Sequence, residues 1–174
     1  MSDLFVRRAT KDDAALLSEL GARTFAETFA SDNTAANMAA YLAESFTTAT
    51  QLSELTDPDT TVKIAEINGE AVGYSMLSTG NTPEAVVGQK PIELVRLYVS
   101  KQCIGKGVGA ALMKECVEEA ASLGHQTIWL GVWEHNYRAQ AFYRKWGFVV
   151  VGTHIFQLGD DAQRDLLMQR DLAK

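Results

Sequence analysis

Gln102-Cys103-Ile104-Gly105-Lys106-Gly107-Val108-Gly109 is the stretch whose reading decides the fold. Before it, Ile92-Glu93-Leu94-Val95-Arg96-Leu97-Tyr98-Val99 is dense in branched and aromatic residues and reads as a strand. After it, Val108, Leu112, Cys116 and Ala120 step by four along one face, with Lys114, Glu115, Glu118 and Glu119 on the other. That is an amphipathic helix, and Gly124 suits the residue just past its end. Glycines therefore sit where a strand hands over to a helix. The first turn of a helix has N–H groups with no intrahelical partner, and glycine lets a ligand come close to them. An anion there gains about 0.3–1 kcal/mol from the helix dipole, and each hydrogen bond to a charged acceptor adds about 1.5–3 kcal/mol. A diphosphate is the natural guest.

Working outward, Leu4-Phe5-Val6-Arg7-Arg8 reads as a first strand. Thr10 with Asp13 looks like a helix start, and Leu16, Leu17 and Leu20 follow at helical spacing, with the helix running past Gly21 toward Phe25 and Phe29. A second helix is predicted from about Thr34 to Phe46, with Met38, Tyr41 and Leu42 on one face, before Thr56-Asp57-Pro58-Asp59 breaks the pattern. Val62 to Ile67, Asn68-Gly69 and Ala71 to Leu77 form a hairpin. Ser78 to Lys90 is a polar loop. Gln126 to Trp133 is a strand, Tyr137 to Lys145 a short helix stopped by Gly147, and Phe148 to Gly152 and Asp165 to Arg170 the last strands. The order is strand, two helices, three strands, helix, strand, helix, two strands. It predicts one α/β domain over residues 1–174 with a single mixed sheet.

The 174 residues are 47 % hydrophobic and 22 % charged, enough for a core without staples. The formal net charge of -6 argues against a nucleic-acid partner, which needs a basic face. It favours a cationic one, although ordinary solubility charge explains it too. Cys103 and Cys116 have no metal-ligand spacing with each other or with His125, His135 or His154, so no metal is expected. The first residues lack a basic and apolar signal pattern, and no stretch is apolar enough for a bilayer. A cytoplasmic protein with no membrane partner is the expectation.

Two phosphate-binding patterns compete. A Walker loop needs Ser or Thr after its Lys, but Lys106 is followed by Gly107. The dinucleotide pattern is met formally by Gly105, Gly107 and Ala110, with Glu134 in place of a ribose acid. Yet Ser100 to Ile104 separate the glycines from the strand, and little chain remains for a doubly wound sheet. It stays as an alternative.

Gln102-Cys103-Ile104-Gly105-Lys106-Gly107 also resembles the [QR]-x-x-G-x-[GA] motif of the GCN5-related N-acetyltransferases, and Gly109-Ala110-Ala111-Leu112 is similar to the start of their helix. A second block, Trp129 to Asn136 continued by Ala141-Phe142-Tyr143-Arg144-Lys145-Trp146-Gly147-Phe148, resembles their downstream motif. The Leu-Gly-Val-Trp-Glu-x-Asn wording is similar to the branch that includes spermidine/spermine acetyltransferases. The resemblance is specific from Glu93 to Phe148 and implies the acyl-CoA N-acyltransferase fold. That is a mixed central sheet splayed between two parallel strands and flanked by about four helices. Acetyl-CoA would lie in the opening between the strands ending near Val99 and Trp133. A bulge mapped onto Leu97, Tyr98 and Val99 would free backbone groups for the acetyl and pantetheine amides. The diphosphate would sit on the amides of Ile104, Gly105, Lys106, Gly107, Val108 and Gly109, in the loop opened by Gln102 and Cys103. Asn136 would bond the pantetheine arm, with Ala139, Phe142, Tyr143 and Lys145 on the helix beside it. A homodimer would suit the family.

Acetyl transfer needs a neutral amine, a polarised carbonyl and a way out for the thiolate. An alkylamine with pKa about 10.4 is neutral in roughly one molecule in a few thousand at pH 7, so a proton acceptor helps. Glu93 is the candidate, acting through a water; a solvated strand-end charge is the other reading. By resemblance Tyr143 donates a proton to the thiolate, although Phe142, Tyr143 and Trp146 share a short helix and a core aromatic would look the same. A backbone N–H of Tyr98 or Val99 would polarise the acetyl oxygen. Phe25, Glu27 and Phe29 fall where the family lines its acceptor pocket. His135 reads as a surface loop residue and Cys103 as a bystander, while Trp129 and Trp133 share strand parity and are expected to bury together. The acceptor is a primary amine of a small molecule or peptide, and a polyamine fits both the branch wording and the acidity. A non-catalytic acyl-CoA-binding module is the rival reading.

Overall fold

In the computed structural model, which describes residues 3–172, strand β1 (Leu4–Arg8) leads into a reciprocal cap. The Thr10 hydroxyl accepts from the Asp12 N–H at 3.3 Å, and the Asp13 carboxylate accepts from the Thr10 N–H at 2.8 Å. Helix α1 (Ala14–Phe29) follows, its inner face buried at Leu17, Leu20 and Phe25. Gly21 sits mid-helix because the Phe46 ring lies against it; a Cβ there would fall 2.7 Å from that ring's Cε1. Helix α2 (Ala35–Ser45) is capped by Thr34, which accepts from the Asn37 N–H at 3.1 Å.

Helix α3 (Thr48–Thr56) is an element that the sequence reading missed. Four of its nine residues are Thr or Ser, poor helix formers. Its buried position is Gln51, whose amide donates to the Ser45 carbonyl at 2.9 Å. There was no apolar stripe to read. With α4 and α5 below, the sheet is flanked by five helices, where about four were expected.

Strands β2 (Thr60–Ile67) and β3 (Glu70–Ser78) form the predicted hairpin, with Asn68 and Gly69 at φ 53° and 82°, the left-handed pair a tight two-residue turn requires. Then come β4 (Pro91–Val99), α4 (Val108–Ser122), β5 (Thr127–Trp133), α5 (Tyr137–Lys145), β6 (Val149–Leu158) and β7 (Asp161–Asp171). The sheet order is β1-β2-β3-β4-β5-β7-β6. Among the described residues β4–β5 is the single parallel pair. A doubly wound dinucleotide fold needs a mostly parallel sheet, so that alternative is overturned. The β6–β7 hairpin is longer than predicted. Its polar residues, among them Thr153, His154, Gln157 and Arg164, obscured a strand exposed along much of its length.

Two features of β4 make the site. First, β4 pairs with β5 only at Pro91–Glu93 opposite Thr127–Trp129, and beyond that the two strands part. Second, Met76 faces Arg96 while Leu77 faces Leu94, so Val95 is an extra residue. Such a bulge changes which side chains point where. Ile92 and Leu94 pack into the core under α4 and α5, with Met113, Cys116, Ile128, Leu130 and Met168. Val95 instead joins Leu17, Leu20, Ile64 and Tyr74 against α1. After the bulge Leu97 and Val99 face the α4 side, while Arg96 and Tyr98 face α1–α3. The bulge therefore lies at Val95 and not at Leu97–Val99, which pair regularly with Ser75, Tyr74 and Gly73. Their opposite edge is free because β5 has moved away.

Candidate active site

The Ser100 N–H donates to the Val72 carbonyl at 2.8 Å, so that pair is hydrogen-bonded across β3 and β4. By antiparallel alternation the N–H of Tyr98 also points at β3, and those of Leu97 and Val99 point into the opening. Of the two N–H groups expected to polarise the carbonyl, that of Val99 faces the opening and that of Tyr98 does not.

Past Ser100 the chain makes a 3₁₀ turn at Lys101–Cys103. The Ile104 N–H returns to the Lys101 carbonyl at 3.3 Å, and that of Lys106 to the Cys103 carbonyl at 3.2 Å. These two amides are already engaged, which breaks the expected run Ile104–Gly109. Gly105 and Gly107 stand at φ 83° and 84°, in the left-handed region that favours glycine. Among the described residues the N–H groups of Gly105, Gly107, Val108, Gly109 and Ala110 have no backbone partner; Ala111 is the first to turn back, to the Gly107 carbonyl at 3.0 Å. Bare donors at a helix N-terminus make an anion cradle. Cys103 and Val108 are buried beneath it with Leu112, so the loop is pinned from below, while Gln102 and Lys106 are exposed. Cys103 is a packing residue.

A cleft of about 500 Å³ runs from this loop through the parted strands. On the loop's side it is lined by Leu97, Val99, Ile104, Asn136, Ala139 and Phe142, with Arg138, which the sequence reading did not pick out. The Asn136 Oδ1 accepts from the Ala139 N–H at 3.3 Å, capping α5. Gln140 braces that turn, donating to the carbonyls of Trp133 at 3.2 Å and Glu134 at 2.8 Å. Tyr143 lines the cleft at its inner end, with the rings of Phe142 and Phe148 at 5.5 and 5.8 Å. Burial raises its phenol pKa above the ordinary value, which keeps it protonated. Lys145 is not in this cleft; it borders a separate surface hollow with Trp146, Gly147 and Arg170.

The other half of the cleft is aromatic and acidic. Phe25 and Phe29 line it as predicted, their centroids 4.6 Å apart. Tyr41 stacks on Phe25 at 4.6 Å, Phe156 meets Tyr41 edge-on at 5.5 Å, and Trp133 meets Phe29 at 6.2 Å. Trp133 and Trp129 therefore do not bury together: Trp129 is in the interior and Trp133 stands at the cleft. Glu93 also lines the cleft, and desolvation pushes its carboxyl up to about 6. Arg96 is committed elsewhere, with its guanidinium on both Glu54 oxygens at 2.7 and 3.0 Å and over the Phe46 ring at 5.2 Å. Glu27 is outside the cleft. Its carboxylate accepts from the Lys101 N–H at 2.7 Å and caps the turn that leads to the glycine loop.

His154 and Asp165 were missed. They are opposite each other on β6 and β7, with Nε2 and Oδ2 3.5 Å apart, and both line the cleft. Gly131 makes room for them: a Cβ there would be 3.0 Å from His154 Nε2 and 3.3 Å from Asp165 Oδ2. The available signal was that glycine, between two tryptophans of like parity on β5.

Residues 22–148 match the acetyltransferase (GNAT) family. An N-acetyltransferase of Mycobacterium tuberculosis is 35 % identical over 160 residues, 92 % of this chain and 98 % of its own. One in the pepI 3′ region of Lactobacillus delbrueckii subsp. lactis is 29 % identical over 172 residues, 99 % of each chain. The fold is also that of the PaiA N-acetyltransferase of Thermoplasma acidophilum, crystallised with coenzyme A, with a TM-score of 0.76 at 18 % identity over 97 % of this chain and 99 % of that one.

Proposed function

This chain belongs to the acetyltransferase (GNAT) family and is an acetyl-CoA-dependent N-acetyltransferase, and we propose that its acceptor is the primary amine of a small, polyamine-like molecule or a peptide, attacking directly in a ternary complex. One observation carries the reading. The loop of unpaired amides opens onto a cleft between two parted parallel strands, which its Gly105, Gly107, Gly109 and Ala110 line, and that cleft leads to Tyr143 and Glu93.

Bound acetyl-CoA supplies an acetyl thioester. Its diphosphate fits the five bare amides, and its pantetheine amides fit the free edge of Leu97 and Val99 and the side-chain amide of Asn136. Ala139 and Phe142 flank it. The Val99 N–H polarises the acetyl oxygen. Glu93 takes the acceptor's proton through a water; its raised pKa brings it closer to the amine than an ordinary carboxylate would be. Tyr143, held neutral by burial, donates a proton to the departing sulfur. The acidic, aromatic half of the cleft supports a cationic acceptor.

An acceptor screen that measures free thiol released from acetyl-CoA tests this. Release is expected with polyamines such as spermidine and spermine. Acetyl-CoA at a hundredfold excess over its Kd is expected to stabilise the fold by about 2.7 kcal/mol, and NAD(P)H not at all. Acetyl-CoA binding with no turnover on any amine would instead support the rival, a non-catalytic acyl-CoA-binding module.

A further inference from the structure

Asp165 is an acid in an unusual position. Its side chain is 13 % exposed, yet the nearest basic group is His154 Nε2, 3.5 Å away and without a hydrogen-bond partner of its own. No Lys or Arg of the described residues pairs with it. The adjacent Arg164 points to the opposite face by strand alternation, 4.0 Å from Glu134, and Arg96 is held by Glu54. From α2, Tyr41 faces Asp165; from β4, Glu93 is the other carboxyl of the same cleft. A carboxylate removed from water without a cation is costly unless a ligand brings one. The surroundings suit an organic cation, because the rings of Phe29, Tyr41, Trp133 and Phe156 line the same space. Gly131 leaves the carboxylate uncovered.

We propose that Asp165, with His154 behind it and the aromatic wall around it, is a subsite for a second cationic group on the acceptor, remote from the amine that is acetylated. This rests on the acetyltransferase reading above. The sheet register sets the scale. Glu93 is opposite Trp129, and Asp165 is opposite Trp133, four residues along the same strand, which is roughly 13 Å at 3.3 Å per residue. Because β4 and β7 flank β5, two strand spacings of about 4.8 Å add across the sheet, and the far charge sits on the order of 10–15 Å from the reacting amine once the side chains reach into the cleft. The protein selects amines that carry two charges a short chain apart.

The test uses the full-length protein and a series of α,ω-diaminoalkanes from 1,3-diaminopropane to 1,8-diaminooctane, each against the n-alkylamine of equal length. The kcat/KM for the diamine is expected to exceed that for its monoamine by at least tenfold once the chain reaches Asp165, chiefly through KM. In Asp165→Asn the advantage is expected to shrink to about twofold or less, while monoamine turnover stays near wild type and shows that the variant is folded. Equal loss on both amines, no loss, or no diamine preference in the wild type would each overturn the proposal. Calorimetry of 1,6-diaminohexane binding to the coenzyme A-loaded protein supplies a readout independent of turnover. Binding that weakens at least tenfold in Asp165→Asn supports the subsite even if no amine is acetylated, and that result would sink the acetyltransfer reading alone. Binding that is absent or indifferent to the substitution sinks the subsite.

Discussion

The two halves of the cleft are built by different means. The donor half is main chain: bare amides after two left-handed glycines, and the open edge of a strand whose neighbour has moved away. The acceptor half is side chain: rings and carboxyls gathered from α1, α2, β4, β5, β6 and β7. Backbone donors can hold a cofactor part that never varies. Side chains can be exchanged one at a time, so selectivity lies on their side. Substitutions in one half should then leave the other's ligand untouched.

The strongest challenge is at the junction. Tyr143→Phe is expected to lower kcat tenfold or more while the Kd for acetyl-CoA stays within about twofold, since general acid catalysis contributes roughly 10²–10⁴. Steady-state rates beside calorimetry decide it, and an unchanged kcat removes Tyr143 from the chemistry. Next, Gly107→Ala tests the donor half alone. Nothing lies within 4 Å of its added Cβ, so the cost is the left-handed backbone at φ 84°, about 1–2 kcal/mol. If that whole cost falls on the bound state, acetyl-CoA should bind about fivefold to thirtyfold more weakly with the acceptor KM unchanged; a change confined to the acceptor KM would break the division. Glu93→Gln is expected to cost roughly fivefold at pH 8. The informative readout is the pH profile. Glu93 works as an ionised base and its folded pKa is about 6, so wild-type kcat/KM should fall as pH drops through about 6, and the variant should lack that inflection. An identical inflection in both would assign it to another group. The smallest effect is Gly131→Ala, whose Cβ would press on His154 Nε2 at 3.0 Å and Asp165 Oδ2 at 3.3 Å. It should raise the acceptor KM by about threefold and spare acetyl-CoA binding.

The same division explains what could be read in advance. Gly105, Gly107 and the helix after them are contiguous, so composition and spacing were enough to point to the loop of bare amides at the helix start. Phe25 and Phe29 were found because they share one helix. Tyr41, Trp133, Phe156, His154 and Asp165 come from four further elements, and strand pairing alone brings them together. The bulge was misplaced because Val95 looks like any strand valine; its register against Met76 and Leu77 is a property of two strands. Glu27 was misassigned for a related reason, as its partner, the Lys101 amide, is 74 residues away in sequence.

Val95 also has a consequence for how this gene product can change. It is the unpaired residue, so a one-residue deletion there would close the ladder, with Leu94 and Arg96 still opposite Leu77 and Met76 and the downstream side chains on the faces they now occupy. What would go is the extra bend and twist that a bulge gives its strand. Inserting a residue just after it would do the opposite damage, turning the guanidinium of Arg96 away from Glu54 and toward the greasy layer beneath α4. The groove thus depends on a count of residues as much as on their kind.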